Sequence, residues 1–486
     1  MFKLNINDII SILPEMIVAL GACFILIVDL FTGKDRKCLV AALSVVTVIA
    51  AAVATWWLTG SDIAGILTFS GMFAADYYSA FLKFLFYAAA IMTILMSHRY
   101  LKDEDINLGE YYVLVLFALS GMMVMASGKD LLMLYVGTEM MSIPIYALVG
   151  FAQHDKRSNE GALKYVILGA FSSGVMLFGI SLVYGLCGTT ALDGVAEALK
   201  AADAASPAMI LAVTLLFAGF AFKIAGVPFH MWAPDAYEGA PTPITAYMSV
   251  GAKAAAFAVL LRVFAEGFAP MYEQWKVLVI VVSLASMIYG NFTAIAQKNI
   301  KRMLAYSSIG HAGYALLGLV AYGEQGVASV LFYLAVYTAM NMGAFAVVLL
   351  MKRNGKGGEL ISDYTGLAKN NKLTALVMLI FLFSLAGIPP TAGFMGKFYV
   401  FVALLEKGFV AVAIVALLAS AVAAYFYIRI IMLMYMKDAP KDADTCMCEK
   451  DRGLAFVIIV AVIVVIGLGV YPGCIIDLAV AASKIL

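Results

Sequence analysis

Long apolar runs dominate this chain. A run of about 18 or more apolar residues fits a membrane-crossing helix better than any element of a water-soluble domain. The first eight such runs lie roughly at 9–31, 38–58, 76–97, 110–127, 131–152, 161–186, 207–235 and 243–266. Six more follow at 275–296, 302–322, 326–351, 373–405, 409–436 and 453–481, which makes fourteen expected spans. Composition agrees, because 64% of the 486 residues are hydrophobic, 13% are charged and the mean hydropathy is +0.97. No soluble core could hide so much apolar surface, and a membrane β-barrel would show short alternating segments instead. The expected class is all-α, a polytopic protein solvated by the lipid bilayer. A formal net charge of +1 gives no reason to expect a nucleic-acid partner.

LGAC at Leu20–Cys23 has the look of a lipoprotein cleavage site, but Pro14 and Glu15 interrupt the preceding run and the chain stays apolar to Leu30. A first transmembrane helix is the better reading. Of the six cysteines only Cys446-Met-Cys448 is close-set, in a polar loop with no second pair, so no metal site is expected there. Six of the 32 basic residues fall inside spans: Lys83, Lys164, Lys223, Lys253, Lys397 and Arg429. With the N-terminus outside, the cytoplasmic loops 34–37, 99–102, 156–157, 298–302, 352–372 and 437–452 hold nineteen of the rest. The opposite side holds seven: Lys3, Lys129, Lys200, Arg262, Lys276, Lys407 and Lys484. That positive-inside bias places both termini on the non-cytoplasmic side of the cell (inner) membrane.

Two spans are too long to cross a bilayer straight, and both carry the same internal breaker. The seventh (207–235) reads AGVPF at Ala225–Phe229, and the twelfth (373–405) reads AGIPP at Ala386–Pro390. Proline removes a backbone donor and clashes with the preceding turn, so each helix should break there. Breaks five helices apart have opposite orientations, the mark of an inverted repeat. The expected organisation is therefore a three-helix segment (1–109), two five-helix units (110–266, helices four to eight, and 267–436, helices nine to thirteen) and a C-terminal helix (437–486). A weaker echo shares one spacing: Lys164…Tyr184-Gly185 and Arg302…Tyr322-Gly323.

A lysine at the bilayer centre costs roughly 2.5–3.5 kcal/mol even on the gentler scale, so depth decides what each one means. Lys83 and Lys164 lie near helix starts, and Arg429 near an end, where a side chain can snorkel to the interface. Lys253 is deep in its helix, Lys223 is one turn before the first break and Lys397 follows the second. Either these are inert, satisfied ions or they carry protons. Glu139, in LYVGTEMMSIPIY, is the acid deep within a span and the natural partner for one of them. His230 directly follows the broken segment and could repair the helix or relay protons. His311, in SSIGHAGY, is either a packing histidine or a relay beside Ser307 and Ser308. Tyr337, Thr338 and Asn341 look like water-holding groups. There is no GxGxxG opening a strand–helix unit, no HExxH and no iron–sulfur cysteine cluster, and GFMGK at 393–397 lacks the Ser/Thr and strand of a P-loop. No cofactor is expected in this chain, and a row of titratable groups at membrane depth suits moving protons.

Three segments carry a resemblance: KIAGVPFHMWAPDAYEGAPTPITAYMSVGAKAAAFAVLLR (Lys223–Arg262), EGALKYVILGAFSSG (Glu160–Gly174) and LAGIPPTAGFMGKF (Leu385–Phe398). Here the chain resembles the N-type antiporter-like membrane subunits of proton-pumping NADH:quinone oxidoreductase (respiratory complex I), over essentially all fourteen helices. The resemblance implies that Glu139 pairs with Lys223, that Lys164 sits nearby as a modulator, that Lys253 is the central relay and that Lys397 is the terminal group. M-type relatives typically have glutamate at that last lysine, and L-type relatives add a long lateral helix after the last span. It further implies proton translocation driven by redox chemistry in other subunits, a neighbouring antiporter-like subunit as partner, and no function for the chain alone. A subunit of a multisubunit sodium/proton antiporter or membrane-bound hydrogenase stays open on the same fold, as does an inert membrane spacer.

Overall fold

The computed structural model describes residues 5–33, 37–61, 65–201, 206–352, 357–438 and 451–484. Its first half contains α1 (Ile6–Ser11), α2 (Leu13–Leu30), α3 (Lys37–Thr59), α4 (Tyr77–Asp103), α5 (Glu110–Ser127), α6 (Leu131–Val149) and α7 (Lys156–Cys187). Then come α8 (Leu192–Ala201), α9 (Pro207–Lys223), α10 (Ala233–Gly239) and α11 (Thr242–Gly267). The second half contains α12 (Tyr272–Ile295), α13 (Ile300–Val320), α14 (Glu324–Met351), α15 (Leu367–Asn370), α16 (Lys372–Ala386) and α17 (Ala392–Glu406). It closes with α18 (Val410–Met436), α19 (Arg452–Val470) and α20 (Gly473–Ser483). Among the described residues the sheet content is one two-stranded pair, Leu67–Thr68 with Phe73–Ala74. The protein is all-α, and twelve of its described helices are long and apolar enough to cross a membrane.

Both overlong spans are helix pairs. α9 stops at Lys223, Ala225 takes a φ of 58°, and the chain passes a cis Val227–Pro228 bond before α10. α16 ends at Ala386 with Gly387 at φ 84°, a left-handed cap that favours glycine, and α17 starts after a cis Pro389–Pro390 bond. Backbone opened at membrane depth must be satisfied by protein or trapped water. Here protein does part of it. The Val227 N–H donates to Ser286 Oγ at 2.9 Å, the Trp232 indole to the Phe222 carbonyl at 3.0 Å and the Gly393 N–H to Ser384 Oγ at 3.0 Å.

One expected span needs correction. Residues 453–481 are not a single helix, because α19 ends at Val470 and Pro472 caps the start of the shorter α20. Proline cannot continue the hydrogen-bonding of the turn before it but readily begins a new helix. The Cys446-Met-Cys448 loop lies outside the described residues.

The interior is built from few helices. The most apolar windows of α11 and α13 are 100% buried and that of α14 94%, whereas α19 reaches only 22%. α11, α13 and α14 are therefore the core that other helices shield from lipid. Lys253, His311 and Asn341 sit on those three. Two π-helical turns, Met248–Ala252 and Val263–Gly267, flank the α-helical stretch that starts at Lys253. Such turns widen a helix locally and often mark functional positions.

Candidate functional site

Lys223 closes α9, with its side chain only 1% exposed. Its ammonium donates to Ser142 Oγ at 2.8 Å and to the Tyr146 hydroxyl at 3.4 Å, and stands 3.7 Å from Glu139 Oε1. The same carboxylate oxygen accepts from Ser173 at 2.5 Å. Glu139 is thus held by α7 on one side and faces Lys223 on the other. Its side chain is 25% exposed on the outside of the bundle.

Lys164 is placed elsewhere. It donates to Asp235 at 2.6 Å and pairs with Glu160 at 2.7 Å. The other Asp235 oxygen accepts from Arg302 at 2.6 Å, and Arg302 also reaches Glu238 at 2.9 Å. The two basic residues matched by the sequence echo therefore meet at one carboxylate. Nearby, the buried Lys301 donates to the Glu238 and Ala240 carbonyls at 2.7 and 2.8 Å, completing the open end of α10.

Lys253 has no carboxylate partner among the described residues; it donates to Ser308 Oγ at 2.5 Å and to the Ser308 carbonyl at 2.9 Å. Beyond Ser308, Ser307 hydrogen-bonds to the Tyr427 hydroxyl, which lies 3.2 Å from His311 Nε2. His311 Nδ1 is 2.6 Å from the Tyr333 hydroxyl. Further along, the Lys397 ammonium sits 4.9 Å above the Tyr314 ring. It donates to the Ala386 carbonyl at 2.9 Å, the Leu385 carbonyl at 3.3 Å and Ser420 Oγ at 2.9 Å. A cation at the C-terminal end of α16 completes carbonyls the break leaves open and meets the negative end of the helix dipole.

His230 packs on the Tyr289 ring at 4.6 Å, and its Nδ1 is buried without a protein partner. Arg429 does not extend freely to the interface but donates to the Ile295 carbonyl at 2.7 Å. Lys83 does not snorkel at all. It is buried and lies 2.6 Å from Glu15, which the sequence showed only as an interruption of the first span. Arg262, counted above among loop cations, is completely buried on Asp76 at 3.0 Å and Glu266 at 3.5 Å, with Lys129 on Glu266 at 2.6 Å. Removing it from the sparse side sharpens the charge bias. Sequence reasoning also missed Asp235, Tyr333, Tyr427 and Ser420. Only Asp235 had a visible signal, in the His–Met–Trp–Ala–Pro–Asp run. Among the described residues no group of three or more His, Cys, Asp or Glu is arranged to hold a metal.

The fold is a helical membrane bundle with two broken helices and three buried lysines, Lys223, Lys253 and Lys397. Residues 128–437 match the family described as NADH:quinone oxidoreductase/Mrp antiporter, TM, and the chain belongs to that family. It is 53% identical to NADH-quinone oxidoreductase subunit N 2 of Rhizobium meliloti, over 85% of this chain and 86% of that protein. A chain of respiratory complex I from Thermus thermophilus superposes with a TM-score of 0.79 at 30% identity, covering 96% of this chain and 98% of that one. A chain of the Mrp complex from Dietzia sp. superposes at 0.83 with 21% identity, covering 99% and 97%, a likeness that shows the fold alone.

Proposed function

We propose that this chain is a proton-translocating membrane-arm subunit of an NADH:quinone oxidoreductase, of the N type. The single observation that carries proton transfer is the interior row itself. Lys223, Lys253 and Lys397 are all buried, at most 5% exposed, and Lys253 and Lys397 are accompanied by the buried polar groups Ser307, Ser308, His311 and Tyr427. An inert fold would have no use for three such costly charges. The choice of driver rests on sequence, since the fold is shared with an antiporter complex at 21% identity while the identity to a quinone-reductase subunit is 53%. Redox chemistry belongs to other subunits, and this chain holds no cofactor in this reading.

In this mechanism Glu139 holds Lys223 charged. Drawing the two apart removes the negative charge that offsets burial, so Lys223 sheds its proton inward. Lys253 takes the central position, and the Ser307–Tyr427–His311 chain leads on towards Lys397. The partial exposure of Glu139 at membrane depth supports a neighbouring subunit against that face, since a carboxylate is not left to lipid. We read residues 110–266 and 267–436 as two inverted units, supported by the paired breaks at Ala225–Phe229 and Ala386–Pro390. Lys164 then acts at the rim, through Asp235.

Lys253→Ala tests the reading. The complex should assemble, because the variant removes a buried charge without stranding a carboxylate. NADH-driven acidification of inverted membrane vesicles should fall well below wild type at equal amounts of complex. Full pumping by the assembled variant would make Lys253 a passive ion.

A further inference from the structure

Ser308 stands at a junction. Its hydroxyl accepts from Lys253 at 2.5 Å, and two tyrosine hydroxyls, of Tyr237 and Tyr337, lie near it, that of Tyr337 near Asn341 as well. Neither tyrosine hydroxyl completes a well-formed hydrogen bond to any protein group, and Asn341 Oδ1 beside them is also without one. All three residues are buried. Buried polar atoms in proteins are satisfied, by water where protein does not reach. The other arm of the Asn341 amide donates to Ser249 Oγ at 2.6 Å, one turn before Lys253 on α11.

The two tyrosines lead in different directions. Tyr237 belongs to α10, whose Asp235 and Glu238 form the partly exposed ionic cluster with Lys164 and Arg302. Lys253 itself lies 5.9 Å from the Tyr237 ring centre. Tyr337 belongs to α14, with its ring 5.1 Å from that of His311. Tyr237 thus stands on the helix that carries the charged rim groups, and Tyr337 stands beside the His311 chain.

We propose that the Ser308 hydroxyl is the branch point of the proton path, joining Lys253 to an outer branch through Tyr237 and an inner branch through Tyr337. A hydroxyl both donates and accepts, and its hydrogen rotates freely between partners. When Lys253 gives up a proton, Ser308 Oγ takes it and releases its own hydroxyl proton to a water beside Tyr237 or Tyr337. Lys253 ends as a neutral amine, the serine ends as a hydroxyl, and the water carries one extra proton onward. Loading Lys253 is the same step reversed. Rotation of one O–H bond thus selects which branch Lys253 serves. The inference rests on the reading of Lys253 as a proton carrier.

The test uses the intact complex in membrane vesicles, with protons pumped per NADH oxidised as the readout. Ser308→Ala should lose most of that ratio, and Ser308→Thr, which restores the hydroxyl, should recover it. Tyr237→Phe and Tyr337→Phe keep the rings packed and remove one hydroxyl each, so each should lower the ratio and the pair should approach the Ser308→Ala loss. If Ser308→Ala does not assemble, the two tyrosine variants decide the matter alone. Normal pumping in Ser308→Ala, or in the double tyrosine variant, alongside a defective Lys253→Ala would overturn the branch point and leave the carrier role intact. Normal pumping in Lys253→Ala would overturn the carrier role itself, and the branch point with it.

Discussion

A charge buried in protein is tolerable only with a partner, and the row of lysines shows three solutions of differing strength. Lys223 has a carboxylate, Lys397 has the open carbonyls of a helix end, and Lys253 has one serine. The pair is the most testable of these. Glu139→Gln keeps size and hydrogen bonding but removes the charge that opposes desolvation of Lys223. Lys223→Ala strands the acid instead. Each single change should reduce NADH-driven pumping at matched complex levels, and the double change should do little more harm than either alone. Residues in contact typically couple by roughly 0.5–3 kcal/mol, which is well within reach of a double-mutant cycle. Strictly additive losses would mean that the 3.7 Å separation in the structure is not a functional pairing.

At the scale of elements, the broken helices depend on close backbone approach as much as on proline. A Cβ added at Gly393, in the first turn of α17, would fall 1.8 Å from the Ser384 carbonyl oxygen on α16. Nothing flexible can yield there, so Gly393→Ala should push the two half-helices apart and disturb the seat of Lys397. Overpacking of this kind costs about 1–3 kcal/mol. The measurable outcome is less assembled complex and a lower unfolding temperature, whereas Gly467→Ala, with nothing within 4 Å, should match wild type. Unchanged assembly and thermal stability in Gly393→Ala would show that the α16–α17 approach is not tight in the native complex. These breaks were legible in the sequence because proline and excess span length speak for themselves. The partners were not. Tyr427 and Tyr333 reach His311 from helices 116 and 22 residues away, and tyrosines in apolar helices are usually packing. In the sequence Glu15 is only a blemish in a span, whereas the fold brings it, on α2, within 2.6 Å of Lys83 on α4. Lys164 was readable as a membrane lysine, but not its choice of Asp235 over Glu139.

At the scale of the whole molecule, the loops gather at two ends. Arg157 pairs with Glu359 at 3.2 Å, Lys352 with Glu104 at 2.9 Å, and Asn299 bridges to Leu360, so the loops after α4, α6, α12 and α14 share one end. Phe73 bridges to Gly128, Asp130 to Ala191, and Lys129 reaches Glu266, so the loops before α4 and after α5, α7 and α11 share the other. The first group is the one rich in basic residues in the sequence. Positively charged loops are retained in the cytoplasm during insertion, which gives the two ends an orientation. Reporter domains fused within residues 352–372 should therefore be active only in the cytoplasmic assay. Fusions after Lys484 should be active only on the opposite side, because the fourteen crossings expected from the sequence would return the chain to the side from which it started. A cytoplasmic signal from the C-terminal fusion would mean an odd number of crossings. The segment to re-examine first would then be residues 452–483, where α19 and α20 divide what the sequence presents as one span.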